Sequence, residues 1–195
     1  WSKAIPARQR IREIEHGAKT EFVETFRDPE EIQQLSIDLI ERTQEEISIL
    51  FSAANAIHRQ VLAEDLLLLK EAASQRSVKI RVLVPVDDGN NRVKIIANEK
   101  IQELKDLGID IRQIKREEKP YPLQNKLILL IADQSVCLTV ELEENPREAL
   151  EEVIRLATYS NSEPTIFAYS SIFENLWIHA EIMTGDSVTL ARKEE

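Results

Sequence analysis

Apolar positions along the chain switch between a period of about two residues and one of about 3.6, and these switches divide the sequence into candidate strands and helices. "TEFVETF" (20–26) predicts a strand. "RDPEEIQQLSIDLIERTQ" then places Ile32, Leu35, Leu39 and Ile40 on one helical face, with Asp28 at the cap and Pro29 at the first helical position. "EISILFSAAN" predicts a short buried strand ending in small and polar residues, and 55–74, with its leucine run 66–69, predicts a helix. "VKIRVLVPVDDGNN" predicts a second β-branched strand that breaks at Pro85 into an acidic loop. Residues 93–107 put Ala97, Ile101 and Leu104 on one face with Gly108 as terminator, and "IDIRQI" predicts a third strand.

Strands alternating with helices imply parallel pairing through right-handed crossovers. "NKLILLIADQSVCLTVEL" adds an antiparallel hairpin turning over Ala132 to Ser135, so the sheet is expected to be mixed. Two helices are expected to close the chain. One runs from about Pro146 to Tyr159 on Leu150, Val153, Ile154 and Ala157, and the other runs over 163–183. The expected class is α/β, a mixed and mostly parallel sheet with helices on both faces and a long C-terminal helix. Residues 1–19, with a short charged helix over 6–16, form an N-terminal helical linker in this reading. Residues 20–183 form one domain and 184–195 a tail.

The last helix carries a seam. Ile166, Tyr169, Phe173, Leu176, Ala180 and Met183 alternate steps of three and four, with Trp177 beside them. Two readings stay open: the helix covers its own sheet, or the seam (Ile166, Tyr169, Phe173, Leu176, Trp177, Ala180) is a signalling surface paired in a homodimer.

Composition narrows the function classes. A chain of 195 residues suits one domain with a sizeable core. No apolar run reaches the roughly 20 residues of a membrane helix, so no direct membrane insertion is expected. With 25 basic against 35 acidic side chains the net charge is -10, which repels nucleic-acid phosphates, and no nucleic-acid partner is expected. The single cysteine, Cys137, falls in an apolar strand, which fits a buried thiol in a reducing, cytoplasmic setting. Three scattered histidines and one cysteine form no metal-ligand cluster, and neither metal nor cofactor is expected. Starting at Trp1 without a leader pattern, the chain reads as part of a longer polypeptide, either free or membrane-attached.

None of the four glycines lies in a phosphate-binding loop, and no G-x-S-x-G, H-E-x-x-H or C-x-x-C occurs. The remaining candidates are polar groups where strands hand over to helices, the usual binding edge of open α/β sheets. In "SAANAIHRQ", Ser52, Asn55, His58 and Arg59 are positioned to converge on a small polar ligand, or else to cap a helix. In "PVDDGNN", Asp87 and Asp88 fit a turn and cap as well as a ligand site. Gln124 and Lys126 stand at the lip of the hairpin strand, and Asn161, in "TYSNSEPT", is a candidate ligand or relay residue before the last helix.

The pattern resembles the phospholipase D-like fold, whose enzymes carry His-x-Lys, four residues and then Asp at the entry to a strand. Here Lys126 and Asp133 are separated by six residues, and Gln124 occupies the nucleophile's position. Aligning Asp133 instead puts Lys126 at the histidine and Ile128 at the lysine. Neither register supplies an imidazole, so no catalytic residue is expected. "ILFSAANAIHRQ", "VLVPVDD", "GIDIR" and "LATYSNSEPTIFAYSSIFENLW" together resemble the phospholipase D-like input domain of archaeal sensor histidine kinases, especially those of ammonia-oxidising archaea. This resemblance implies a non-enzymatic sensor that passes its state along the C-terminal helix to kinase dimerisation and catalytic domains in the same polypeptide. The related fold also serves as the effector domain of archaeal transcription regulators, and a purely structural dimerisation module is a third possibility.

Overall fold

In the computed structural model the described residues are 21–51, 62–85, 104–106, 108–114, 127–142 and 154–191. Strand β1 is Val23–Phe26, and helix α1 is Pro29–Arg42, capped where Asp28 accepts a hydrogen bond from the Glu31 amide. Strand β2 is Glu46–Phe51, helix α2 Leu62–Arg76, strand β3 Lys79–Pro85 and strand β4 Asp110–Ile114. Strand β5 is Leu127–Ala132, β6 Val136–Leu142, β7 Ile154–Ser160, and helix α3 Glu163–Ala191.

The strands form one seven-stranded sheet in the order β1-β7-β6-β5-β2-β3-β4. Only β2-β3 and β3-β4 pair in parallel, while β1-β7, β7-β6, β6-β5 and β5-β2 are antiparallel. The expected predominance of parallel strands is therefore corrected: helical crossovers serve only β2 to β4, and the other strands fold back on one another. The hairpin forms as expected, with positive φ at both central residues, Asp133 (47°) and Gln134 (50°), and Ser135 N donating to Ala132 O at 3.0 Å.

The expected helix over Pro146–Tyr159 is overturned at its C-terminal half. Ile154–Ser160 is a strand inserted between β1 and β6, with Tyr159 opposite Leu138 on one side and Glu24 on the other. Ala157 and Tyr159 bury themselves on one face of the sheet, an alternation that a helix from the same residues would break.

Each face of the sheet has its own core. On one, Ile47, Ile49, Ile80, Val82, Leu130 and Leu138 pack under α1 and α2, which contribute Ile32, Leu35, Leu39, Leu69 and Ala72. On the other, Leu50, Leu83, Ile114, Leu129, Ile131 and Cys137 pack under Ile166, Phe173, Leu176, Trp177 and Ala180 of α3. Each such large side chain contributes about 1.5–3 kcal/mol when buried. The seam of α3 therefore covers the chain's own sheet, with Tyr169 half-buried against the same cluster. The dimer-seam reading is corrected, because these side chains are already consumed within the chain. The helix also continues past the expected end at 183, to Ala191.

Gly108 has φ 81°, and its amide donates to Lys105 O at 2.9 Å while Ile109 N donates to Leu104 O at 3.2 Å, the predicted helix stop before β4. Residues 1–20, 55–61 and 93–103, which carry parts of the expected linker and helices, lie outside the described residues.

Candidate functional site

The pairing registers give the sheet two unlike ends. At one, β2, β3 and β4 finish at Phe51, Pro85 and Ile114, and β6 finishes at Leu142. Phe51 pairs with Ile128 near the start of β5, Leu127 with Glu141, and Leu142 with Ile154 at the start of β7. Six strand termini thus meet at this end, which includes the carboxyl ends of all three parallel strands. At such an edge, backbone groups lose their ladder partners and become available to a ligand.

The sequence-predicted site residues fall into two groups. Ser52 directly follows Phe51, Asp87 and Asp88 follow Pro85 within three residues, and Gln124 and Lys126 precede Leu127 within three. Along with Asn55, His58 and Arg59, they lie outside the described residues, on segments joined to the six-terminus end. Asn161 belongs elsewhere. It follows Ser160, which pairs with Cys137 and Val23 at the opposite end of the sheet. There its Oδ1 accepts from Phe22 N at 2.7 Å, and its own amide donates to Phe22 O at 3.3 Å. Asn161 extends the β1-β7 ladder by one side-chain-mediated rung, so its assignment to the ligand site is corrected: β7 runs away from that end.

Asp133 also sits at the far end. Its Oδ1 accepts from Glu45 N (2.8 Å) and Glu46 N (3.0 Å) and its Oδ2 from Gln44 N (3.0 Å), while its amide donates to Glu46 O (2.8 Å). The carboxylate thus organises the entry to β2. Strand β5 starts at Leu127, so at about 3.3 Å per residue its first residue and Asp133 are on the order of 20 Å apart. Asp133 thus ties the hairpin turn to the start of the neighbouring strand.

A second polar cluster, absent from the sequence expectations, lies beneath α3. Arg81 of β3 is 7% exposed, and Glu46 and Ser48 of β2 face it across the parallel pair. Arg81 Nε donates to Glu46 Oε1 (2.8 Å), Nη1 to Glu174 Oε2 (3.0 Å) and Nη2 to Ser48 Oγ (3.3 Å). Nη2 also bonds Glu46 Oε1 and Glu174 Oε1. The guanidinium carbon lies 5.0 Å from the Phe173 ring centroid and 5.3 Å from that of Trp177, and the two rings stack at 5.6 Å. One strand over, Arg112 lies 4.0 Å above the Trp177 ring and donates from Nη1 to Trp177 O at 3.0 Å.

Burial opposes both charges of the Glu46–Arg81 pair, but their hydrogen bonds and mutual attraction prevail. Glu46 is held below the usual carboxylate range, and Arg81 above its ordinary value. Charge on the sheet-facing side of strands is the one sequence signal for this site: Glu46, Ser48 and Arg81 occupy positions that alternate with core residues.

An open depression of 610 Å³ at the far end is lined by Glu41, Arg42, Thr43, Gln44 and Arg76. Arg76 donates there to the carbonyls of Ile40 (2.8 Å), Glu41 (2.7 Å) and Thr43 (2.6 Å), which closes the C-terminus of α1. That geometry is a helix cap. Among the described residues no cluster of metal-ligating side chains occurs, and no helix is long and apolar enough to cross a membrane.

No family model and no curated protein matches the chain. Solved structures of similar fold include NucT from Helicobacter pylori (TM-score 0.61, 14% identity, 83% of this chain and 98% of that one). Another is Nuc from Salmonella typhimurium, a phospholipase D family member (TM-score 0.56, 18% identity, 81% and 95%). A third is TrmBL2, an archaeal chromatin protein whose structure shows a novel mode of DNA binding (TM-score 0.54, 15% identity). The match covers 89% of this chain but only 61% of that protein. The fold is therefore phospholipase D-like, as the sequence resemblance implied.

Proposed function

We propose that this chain is a non-catalytic sensory domain of a signal-transduction histidine kinase. It binds a small polar ligand or a partner at the six-terminus end of the sheet and passes its state on through α3. The observation that carries this reading is the convergence of strand termini Phe51, Pro85, Ile114 and Leu127 on one edge. Ser52, Asn55, His58, Arg59, Asp87, Asp88, Gln124 and Lys126 all belong to segments attached there. Absence of an imidazole in both registers of the "PLQNKLILLIAD" stretch supports binding without turnover.

A ligand shifts α3 only through different affinities for two helix positions. Thermal-shift screening of sugars, organic acids, nucleotides and nitrogen metabolites tests the site. A hit should stabilise the wild type and lose its effect in His58→Ala and Lys126→Ala. Hits insensitive to both substitutions, or hydrolysis of a phosphodiester by the chain, would sink the reading.

Similarity to the archaeal chromatin protein favours a second reading, the effector domain of a transcription regulator. A net charge of -10 then leaves DNA contact to another part of that protein. The parent reading frame discriminates: a winged-helix segment upstream supports the regulator, and a phosphoacceptor histidine helix downstream supports the kinase.

A further inference from the structure

Arg81, Glu46 and Glu174 form a three-member bracket whose two halves differ in their contact with water. The Glu46 side chain is 17% exposed and the Arg81 side chain 8%, whereas that of Glu174 on α3 is 47% exposed. Water therefore competes for the helix-side carboxylate far more effectively than for the sheet-side one. Breaking Arg81–Glu174 leaves the guanidinium charge still paired with Glu46, with Nε and Nη2 bonded to Glu46 and Ser48 and only Nη1 losing its carboxylate. An anchor built only for stability gains nothing from that asymmetry, since a buried charge left unpaired is what makes such bonds costly to open.

The bracket is also localised. Arg81 meets three side chains of a single turn, Phe173, Glu174 and Trp177, and Arg112 holds the carbonyl at the end of that turn. Both arginines belong to strands that end at the proposed ligand edge, β3 at Pro85 and β4 at Ile114.

We infer that the Arg81–Glu174 contact is a releasable latch that sets the position of α3 on the sheet, with Glu46 holding Arg81 in place in both states. This rests on the reading of α3 as the output element. In the closed state the residue 173–177 turn is pinned over β3 and β4. In the released state Glu174 is solvated and the residue 173–177 turn shifts on the sheet, while Ile166 and Ala180 on either side of it stay packed.

Hydrogen–deuterium exchange on the 195-residue chain, with no ligand added, tests it. Glu174→Gln should raise exchange of the α3 amides after Glu174 by about 5-fold relative to those of β2 and β5, the effect of losing one half-exposed charge-assisted bond. Glu71→Gln, an exposed position on α2, should change nothing. Raising salt from 0.05 to 0.5 M should accelerate the same amides in the wild type and leave Glu174→Gln unmoved. Unchanged exchange in Glu174→Gln, an equal rise in β2 and β5, or no salt response in the wild type would each overturn the latch. A failed ligand screen leaves these rates as they are, and a failed latch leaves binding at the strand ends intact, so the two outcomes separate.

Discussion

Arg81 holds a full charge within a hydrophobic interface, and its environment sets the consequences of changing it. Removing the guanidinium in Arg81→Met leaves Glu46 with only Lys79 Nζ at 3.4 Å and Ser48 Oγ at 3.1 Å, and should cost about 2–3 kcal/mol in urea denaturation. Glu174→Gln leaves Arg81 neutralised by Glu46 and should cost about 1 kcal/mol or less. Because the Glu46 carboxyl is held below its ordinary value of 4.5, its contribution is present above that pH and is lost as pH falls through the folded value. Thermal melts should therefore decline below about pH 4.5 in the wild type and decline less in Glu46→Gln. Cys137 has the opposite sign: burial pushes its thiol from 9.0 to about 11. The folded state favours the neutral thiol, so stability should fall between about pH 9 and 11, and Cys137→Ala should flatten that fall. Thiol-reactive dye at pH 8 should label the native wild type only at the rate of unfolding.

At the scale of elements, those with local signals were legible and those fixed by distant pairing were not. Asp28 and Pro29 announced α1, Gly108 announced a helix stop, and the apolar runs around "ADQS" announced the hairpin. Strand β7 was missed because Leu150, Val153, Ile154 and Ala157 fit a helical face, while its burial comes from pairing with β6, which precedes it, and with β1 at the other end of the described residues. The α3 seam was legible as a pattern, but its partner was not, since a stripe of that period suits a sheet as well as a second helix. In the same way the three amides gathered by Asp133 belong to Gln44, Glu45 and Glu46, nearly 90 positions away. Asp133→Asn, which tolerates the left-handed φ of 47° and keeps one acceptor oxygen, should cost about 1 kcal/mol. Asp133→Val loses the acceptors and strains the backbone, and should cost about 3 kcal/mol or more by the same denaturation.

The whole molecule is a sheet with two different ends and two different faces. One face, under α1 and α2, is mainly apolar, with the buried Asp38 paired to Arg42 on α1, and the other combines an apolar seam with the arginine bracket beneath α3. One end gathers the hairpin turn, the α1 cap and Asn161, and the other gathers strand termini and the segments bearing His58 and Lys126. The candidate site was legible in part: sequence placed its segments at strand exits and marked Arg81 as a charge among core positions, but did not show that Asn161 would lie at the far end or that Arg81 would join strand to helix. Ligand binding at the strand-terminus end should be read out by α3. Amide chemical-shift mapping of the isotope-labelled chain, titrated with a hit from the thermal-shift screen, tests it most directly. Shifts are expected at Phe51, Ile114, Leu127 and Ile154 together with shifts along α3 after Phe173, while Gln44, Glu45 and Asn161 stay still. Shifts confined to the Gln44, Asp133 and Asn161 end, or shifts at the strand termini that leave α3 unmoved, would contradict it.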